Sequence, residues 1–338
     1  MSLLVTPFTA HAHVEVPVIC GAMYPCSNPE LVAAVSEAGG LGIMQPVSMV
    51  FAHGYDLQEG IRLVRRLTQK PVGFNAIVEQ SSRALVDQMR RWIDVALQEG
   101  VRFFVTALGN PRWVVEMVHG VGGVVYHDVT ERKWGQRARD AGVDGFICVN
   151  NRAGGHTGTR TARGLLEELR DLGVPLVCAG GAGDGPSVRR MLEMGYAGVQ
   201  LGTRFIATTE CTSHDDYKRA IIRAKAADIV LTDKISGVPV SVINTPYIEK
   251  VGTRAHPLMR VLLRNARTKH YARMYYTLKS TWQLKRASLQ GMSYKDYYLA
   301  GQSVDFVDRV EPAGEIVRRM AEALQEGTPR GNGTSLAR

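Results

Sequence analysis

Several things are scarce in this sequence, and each scarcity excludes something. No run approaches the roughly 20 apolar residues that a bilayer-spanning helix needs, and the start MSLLVTPFTA lacks a basic segment followed by a long apolar one. A cytoplasmic location is therefore the expectation. The five cysteines, Cys20, Cys26, Cys148, Cys178 and Cys211, form no C-x-x-C pair, so they read as small core or rim fillers in a reducing compartment. Among the nine histidines no two have ligand spacing supported by a nearby carboxylate, and no metal centre is expected. Acid is missing from one place. Residues 251–294 contain Arg254, Arg260, Arg264, Arg267, Lys269, Arg273, Lys279, Lys285 and Arg286 but not one Asp or Glu. The whole excess of +9 thus resides in one segment, and the rest of the chain is electroneutral.

What is present is a long, regular alternation. With 338 residues, 45% of them apolar, the chain can bury a sizeable core. Eight short, largely apolar runs read as strands: Val16–Cys20, Leu41–Met44, Val72–Asn75, Phe103–Thr106, Gly123–His127, Gly145–Val149, Pro175–Ala179 and Gly198–Leu201. Amphipathic stretches lie between them, such as 28–38 with Leu31, Val32, Val35 and Ala38 on one face, and 81–99 with Leu85, Met89, Ile93 and Leu97. Several of these end in a glycine that leads into the next strand, at Gly39, Gly100, Gly142 and Gly195, which suits a left-handed helix stop. Eight such units predict an α/β fold, a (β/α)8 TIM barrel spanning 14–227 and completed by 301–326. An open doubly wound sheet is the alternative, but its glycine turn follows the first strand, whereas here the glycine-rich turns follow the seventh and eighth. Residues 228–300 interrupt the pattern as a basic, mostly helical insertion, opening on a possible hairpin strand from Ile229. A closing helix is expected over 313–324.

The seventh and eighth strands are followed by Ala179-Gly180-Gly181-Ala182-Gly183 and Gly202-Thr203-Arg204-Phe205. Loops at these places commonly form a phosphate pocket in such barrels, and glycines let backbone amides close on phosphate oxygens. After the sixth strand comes Ala153-Gly154-Gly155-His156-Thr157-Gly158. A histidine between glycines on a strand-end loop suits proton transfer; a loop imidazole satisfied by a carbonyl is the plainer alternative. Gly21-Ala22-Met23 and Asn75 stand at the ends of the first and third strands, where small residues and an amide can border a planar heterocycle.

In combination and order, these motifs resemble the nitronate monooxygenase family. The carriers are Pro17-Val18-Ile19-Cys20-Gly21-Ala22-Met23, Gly39-Gly40-Leu41-Gly42, Gly73-Phe74-Asn75, Ala153 to Gly158, Ala179-Gly180-Gly181, Leu201 to Phe205, and Leu299-Ala300-Gly301-Gln302-Ser303. The resemblance implies FMN, with its phosphate on Gly180, Gly181, Gly202 and Thr203. It also implies that Gly21, Ala22, Met23 and Asn75 border its ring and ribityl chain, and that Gly155, Ala179, Gln302 and Ser303 complete the pocket. His156 matches the family's catalytic histidine. The chain departs from the pattern in two places: many members carry a lysine after the fifth strand, where this one reads Tyr126-His127-Asp128-Val129, and an acid near Val149-Asn150-Asn151.

The implied reaction is oxidation of alkyl nitronates with O2 to carbonyl compounds and nitrite. The same family includes FMN-dependent enoyl-acyl-carrier-protein reductases and quinone reductases, so NAD(P)H-driven reduction of an enoyl thioester or quinone is the alternative. For the basic segment there are three readings. It is a solvated helical face whose Leu258, Leu262, Leu263 and Tyr271 pack on the barrel; or a lid receiving NAD(P)H, coenzyme A or an acyl carrier protein; or, least favoured, a surface for nucleic acid or membrane in which Tyr275, Tyr276 and Trp282 interleave with cations. A homo-oligomer is compatible with all three.

Overall fold

The computed structural model describes residues 2–79, 83–234, 239–254, 285–290 and 297–325. Eleven strands occur among them, in order β1 Val18–Cys20, β2 Leu41–Met44, β3 Val72–Ile77, β4 Phe103–Ala107, β5 Val124–Val129, β6 Gly145–Val149, β7 Gly155–His156, β8 Leu176–Ala179, β9 Gly198–Leu201, β10 Ile229–Thr232 and β11 Val240–Ile243. Eight of them, β1–β6, β8 and β9, close into a parallel barrel with helices between successive strands. This is the TIM barrel that the alternation predicts. β1 begins two residues later than expected because Pro17 has no N–H to give the ladder; β5 runs two residues further, pairing Asp128 with Ile147 and Val129 with Cys148.

Two cores follow from the period-two alternation of strand side chains. Outward residues such as Val72, Phe74, Phe104, Val125, Phe146 and Val199 pack under the helices. Inward residues, among them Ile19, Ile43, Val105, Tyr126, Ile147 and Val177, fill the barrel. The helix Pro29–Glu37 buries Leu31, Val32 and Val35 as its spacing predicts. In the helix Arg83–Gln98 the buried face starts one turn late, at Met89, and Leu85 is 62% exposed rather than packed. The predicted helix stops adopt positive φ, 88° at Gly39 and 118° at Gly195, for instance.

The amino end of the barrel is shut by a short helix, Pro7–Ala12. Its Phe8 is fully buried, edge-on to Phe103 and Tyr126 at 5.8 and 6.1 Å, and lies so close to Gly198 that a Cβ there would approach its ring at 2.9 Å. His11 Nδ1 meets the Tyr126 hydroxyl at 3.1 Å. The closing helix, Ala313–Gln325, packs along the helices Gly185–Met194 and Pro29–Glu37.

The inserted segment contributes a small second sheet, β10-β11-β7, antiparallel throughout. Its described part is thus a hairpin followed by a helix, Pro246–Val251, with residues 285–290 helical again. Of its nine cations, Arg254, Lys285 and Arg286 are described; the other six, with Tyr271, Tyr275, Tyr276 and Trp282, lie outside the described residues.

Candidate active site at the carboxyl end of the barrel

The strand registers set the floor of the site. Asn75 pairs with Val105 and Val105 with Tyr126, and two residues further along β5 stands Asp128. Asp128 pairs with Ile147, Ile147 with Val177, and two residues on is Ala179. Ala179 pairs with Gln200, Gln200 with Ile19, and two residues on is Gly21. A ring that climbs two residues on every second strand is level in an eight-stranded barrel of this stagger. Gly21, Asn75, Asp128 and Ala179 therefore form the topmost inward ring. The ring beneath holds Ile43, Val105, Ile147 and Gln200. Three of the four top residues were expected at a cofactor from sequence; Asp128 was not.

The ring is low on two sides and polar on two. Gly21 and Ala179 leave room above the lumen. Asn75 is 7% exposed and donates from Nδ2 to the carbonyl of Val105 at 3.3 Å, leaving its oxygen toward the site. Gln200 folds up against Gly21, where a Cβ would lie 2.9 Å from its Cγ. Both Asp128 Oδ1 and Gln200 Oε1 are buried without a hydrogen-bond partner. With no opposite charge to compensate, burial pushes the Asp128 carboxyl up to about 7. His127 points the other way, between strands on the outer face, with Nδ1 2.8 Å from Thr106 Oγ1; burial pulls it down to about 4, so it is neutral at physiological pH.

One wall is a cradle of backbone. Gly180 has φ 112° and leaves so little space that a Cβ would lie 2.5 Å from Ala153 N and 2.6 Å from Asn150 Oδ1. Asn150, fully buried, donates from Nδ2 to the Gly180 carbonyl at 2.8 Å and accepts from Arg152 N at 2.8 Å, stapling the loops after β6 and β8 together. The Gly180, Gly181 and Gly202 amides make none of the loop hydrogen bonds that engage Gly183, held by Ser187 Oγ at 3.0 Å. Thr203 begins the turn of helix Thr203–Ile206 and its hydroxyl accepts from Gly301 N at 3.0 Å. That contact brings in the last predicted piece. Gly301 abuts Gly154, Ser303 is buried, and Gln302 Oε1 accepts from Arg152 Nε at 3.0 Å. Beside the cradle, on the loop after the neighbouring β1, Met23 lies near Gly202, fixed by Ser27 Oγ on its N–H at 2.9 Å and Ser48 Oγ on its carbonyl at 3.1 Å. Free amides at two adjacent loops, small residues over the lumen and orphaned polar atoms below fit a phosphate-bearing planar group such as FMN.

His156 stands on the rim as the second residue of β7, paired with Val240, while Gly155 pairs with Ser241. Gly155 has φ 67°, which lets the loop turn into this short strand. The imidazole is open at the mouth yet crowded by the rim, and the desolvation lowers its pKa below the ordinary 6.5. It is a neutral base at pH 7.

The residues singled out from the sequence fall on the loops at the carboxyl ends of β1, β3, β6, β8 and β9, with Ala22 packed against the inner core, and on residues 301–303, which meet the loop after β6. The structure adds Asp128, Gln200 and Asn150, which sequence reasoning passed over. Their signal is positional: each stands at or next to the carboxyl end of a barrel strand, as Asn75 does.

A closed parallel barrel with a phosphate cradle and a neutral base at its carboxyl end defines a TIM-barrel enzyme. The family profile described as nitronate monooxygenase matches residues 6–323. The chain is 32% identical over 252 residues (74% of this chain, 69% of the other) to the (3aS,4S,5R,7aS)-5-hydroxy-7a-methyl-1-oxo-octahydro-1H-indene-4-carboxyl-CoA dehydrogenase of Rhodococcus jostii (strain RHA1). It is 30% identical to the nitronate monooxygenase of Pseudomonas aeruginosa, covering 68% of this chain and 77% of that one. Among solved structures it is similar to FabK from Thermotoga maritima, with TM-score 0.78 and 28% identity over 95% of this chain and 96% of that chain. The chain belongs to the nitronate monooxygenase family of oxidoreductases.

Proposed function

We propose that this protein is an FMN-dependent oxidoreductase that oxidises small carbon acids, alkyl nitronates among them, with O2 as the electron acceptor. The observation that carries the reading is His156, a neutral base held by a strand ladder at the mouth of a floor of small and polar residues. FMN, when bound, supplies the two-electron acceptor. The amides of Gly180, Gly181 and Gly202 would hold its phosphate, while Gly21, Met23 and Asn75 would border the ring. His156 takes the proton from the substrate carbon or stabilises the carbanion already formed, and Phe8 keeps water from entering beneath.

A second reading is favoured by the relatives. Greater identity to a carboxyl-CoA dehydrogenase than to nitronate monooxygenases, together with the cations of 251–294, supports an acyl-thioester substrate whose nucleotide phosphates meet the insertion. Anaerobic mixing separates the two. Bleaching of bound flavin by a neutral nitroalkane, lost in His156→Asn while propyl nitronate still bleaches it, supports the first; bleaching by NADH, NADPH or a hydroxyacyl-CoA, with none by nitroalkane or nitronate, replaces it with the second.

A further inference from the structure

Among the described residues only four buried side-chain nitrogen or oxygen atoms lack a partner, and two of them, Asp128 Oδ1 and Gln200 Oε1, belong to the barrel lumen. Gln200 is an amide, satisfied by any donor or acceptor that fits. Asp128 is different, because its needs depend on whether it carries a proton. Around it stand Ala107 on β4, Ile147 on β6, and Asn75 and Ala179 across the ring. Among the described residues, the titratable groups beside it on β5 and β6 are Tyr126, two residues down the strand and buried, Cys148 on the outer face of β6, whose thiol is pushed up by burial first and by Cys178 and Asp128 after it, and His127, neutral on the outer face of β5. None supplies a positive charge. Burial alone governs its pKa and lifts it to about 7.

We infer that Asp128 is a cofactor-facing residue that meets FMN as a neutral carboxylic acid, so that cofactor binding takes up one proton at this side chain. The inference rests on the flavin reading of the site. An ionised Asp128 offers only acceptors and places a negative charge under an anionic, electron-accepting ligand with no cation between them. Once protonated, Asp128 becomes a hydrogen-bond donor of the same shape as asparagine. A flavin ring presents carbonyl and imine acceptors on its pyrimidine edge, and a donor there complements it. This donor switches off as pH rises and the carboxyl ionises.

The test is FMN binding to apoprotein, followed by quenching of flavin fluorescence from about pH 5.5 to about pH 8.5, for wild type and Asp128→Asn. Titration of the FMN phosphate is common to both proteins and cancels in the ratio of their Kd values. That ratio should be flat in acid and rise about tenfold per pH unit above about pH 7, the slope for one linked proton. A ratio independent of pH would overturn the inference. If neither protein bound FMN at any pH, the flavin reading itself would fall, and the inference with it. Should Asp128→Asn not fold, riboflavin, which has no phosphate, is mixed with wild-type and with His156→Asn apoprotein in weak buffer at about pH 8. Uptake near one proton per flavin in both is expected; no uptake, or uptake lost with His156, overturns the assignment to Asp128.

Discussion

Val240 of the inserted hairpin and His156 of the barrel rim are antiparallel ladder partners. His156, the base proposed above, is therefore an edge residue of the insertion's own sheet, and the insertion holds its backbone in place. β11 is anchored in turn: Val242 bridges to Leu299, whose carbonyl accepts from the Tyr217 hydroxyl at 2.5 Å. Replacing Val240 by proline removes a backbone donor and fixes φ. Turnover that needs the base should fall about tenfold or more, with flavin absorbance retained, whereas Val240→Ala, which keeps the N–H, should lose much less. Equal losses in the two variants would argue against the ladder as the positioning device.

The pH profile reports the base directly. Because the His156 pKa is depressed, the neutral form persists below pH 6.5. For a substrate that must lose a proton, kcat/KM should be level above that value and drop as pH falls through the lowered pKa. His156→Gln should cost roughly 10²- to 10⁴-fold and remove the acid limb; an acid limb that survived would belong to another group.

Gly180 is the point of least tolerance in the phosphate cradle. Alanine there meets both a left-handed backbone at φ 112° and atoms of Asn150 and Ala153 closer than 3 Å, a strain of about 1–3 kcal/mol. Purified Gly180→Ala should carry little flavin while keeping its helical circular dichroism. Full flavin content would place the phosphate elsewhere.

Glu311 holds three guanidinium groups, one of them that of Arg309, whose Nη2 is 3.4 Å from Oε2. It pairs with Arg204, which is 2% exposed, and with Arg319, whose Nη1 lies 2.7 Å from Oε2. Burial lowers the Arg204 pKa to about 10, still charged at neutral pH. Removing the carboxylate leaves that charge uncompensated, so Glu311→Ala should destabilise the fold by about 3–5 kcal/mol, seen as a lowered midpoint in urea. A shift below about 1 kcal/mol would mean that water reaches the pair.

The barrel was legible because its signals are local and repeated. Strand runs recur eight times, with amphipathic faces between them and glycine stops at four of the helix ends, and errors are confined to ends such as Pro17 and to the exposed Leu85. The glycine loops after β8 and β9 were legible as loops because glycine clusters at two adjacent strand ends stand out in the sequence. Asp128 escaped because its meaning lies in register. Only the pairing of β3 with β4 and β4 with β5 puts it level with Asn75, and nothing in Tyr126-His127-Asp128-Val129 says which of the two titratable side chains faces inward. His156 was found by its glycines, but its ladder to Val240 joins segments more than eighty residues apart, beyond the reach of any local pattern.

With Phe8 wedged under Tyr126 and Phe103, the lumen is a cul-de-sac. Whatever reaches the lumen must enter at the carboxyl end, where the hairpin of β10 and β11 borders the rim through β7. Changes in that hairpin would therefore act on access to the lumen as well as on the placing of His156.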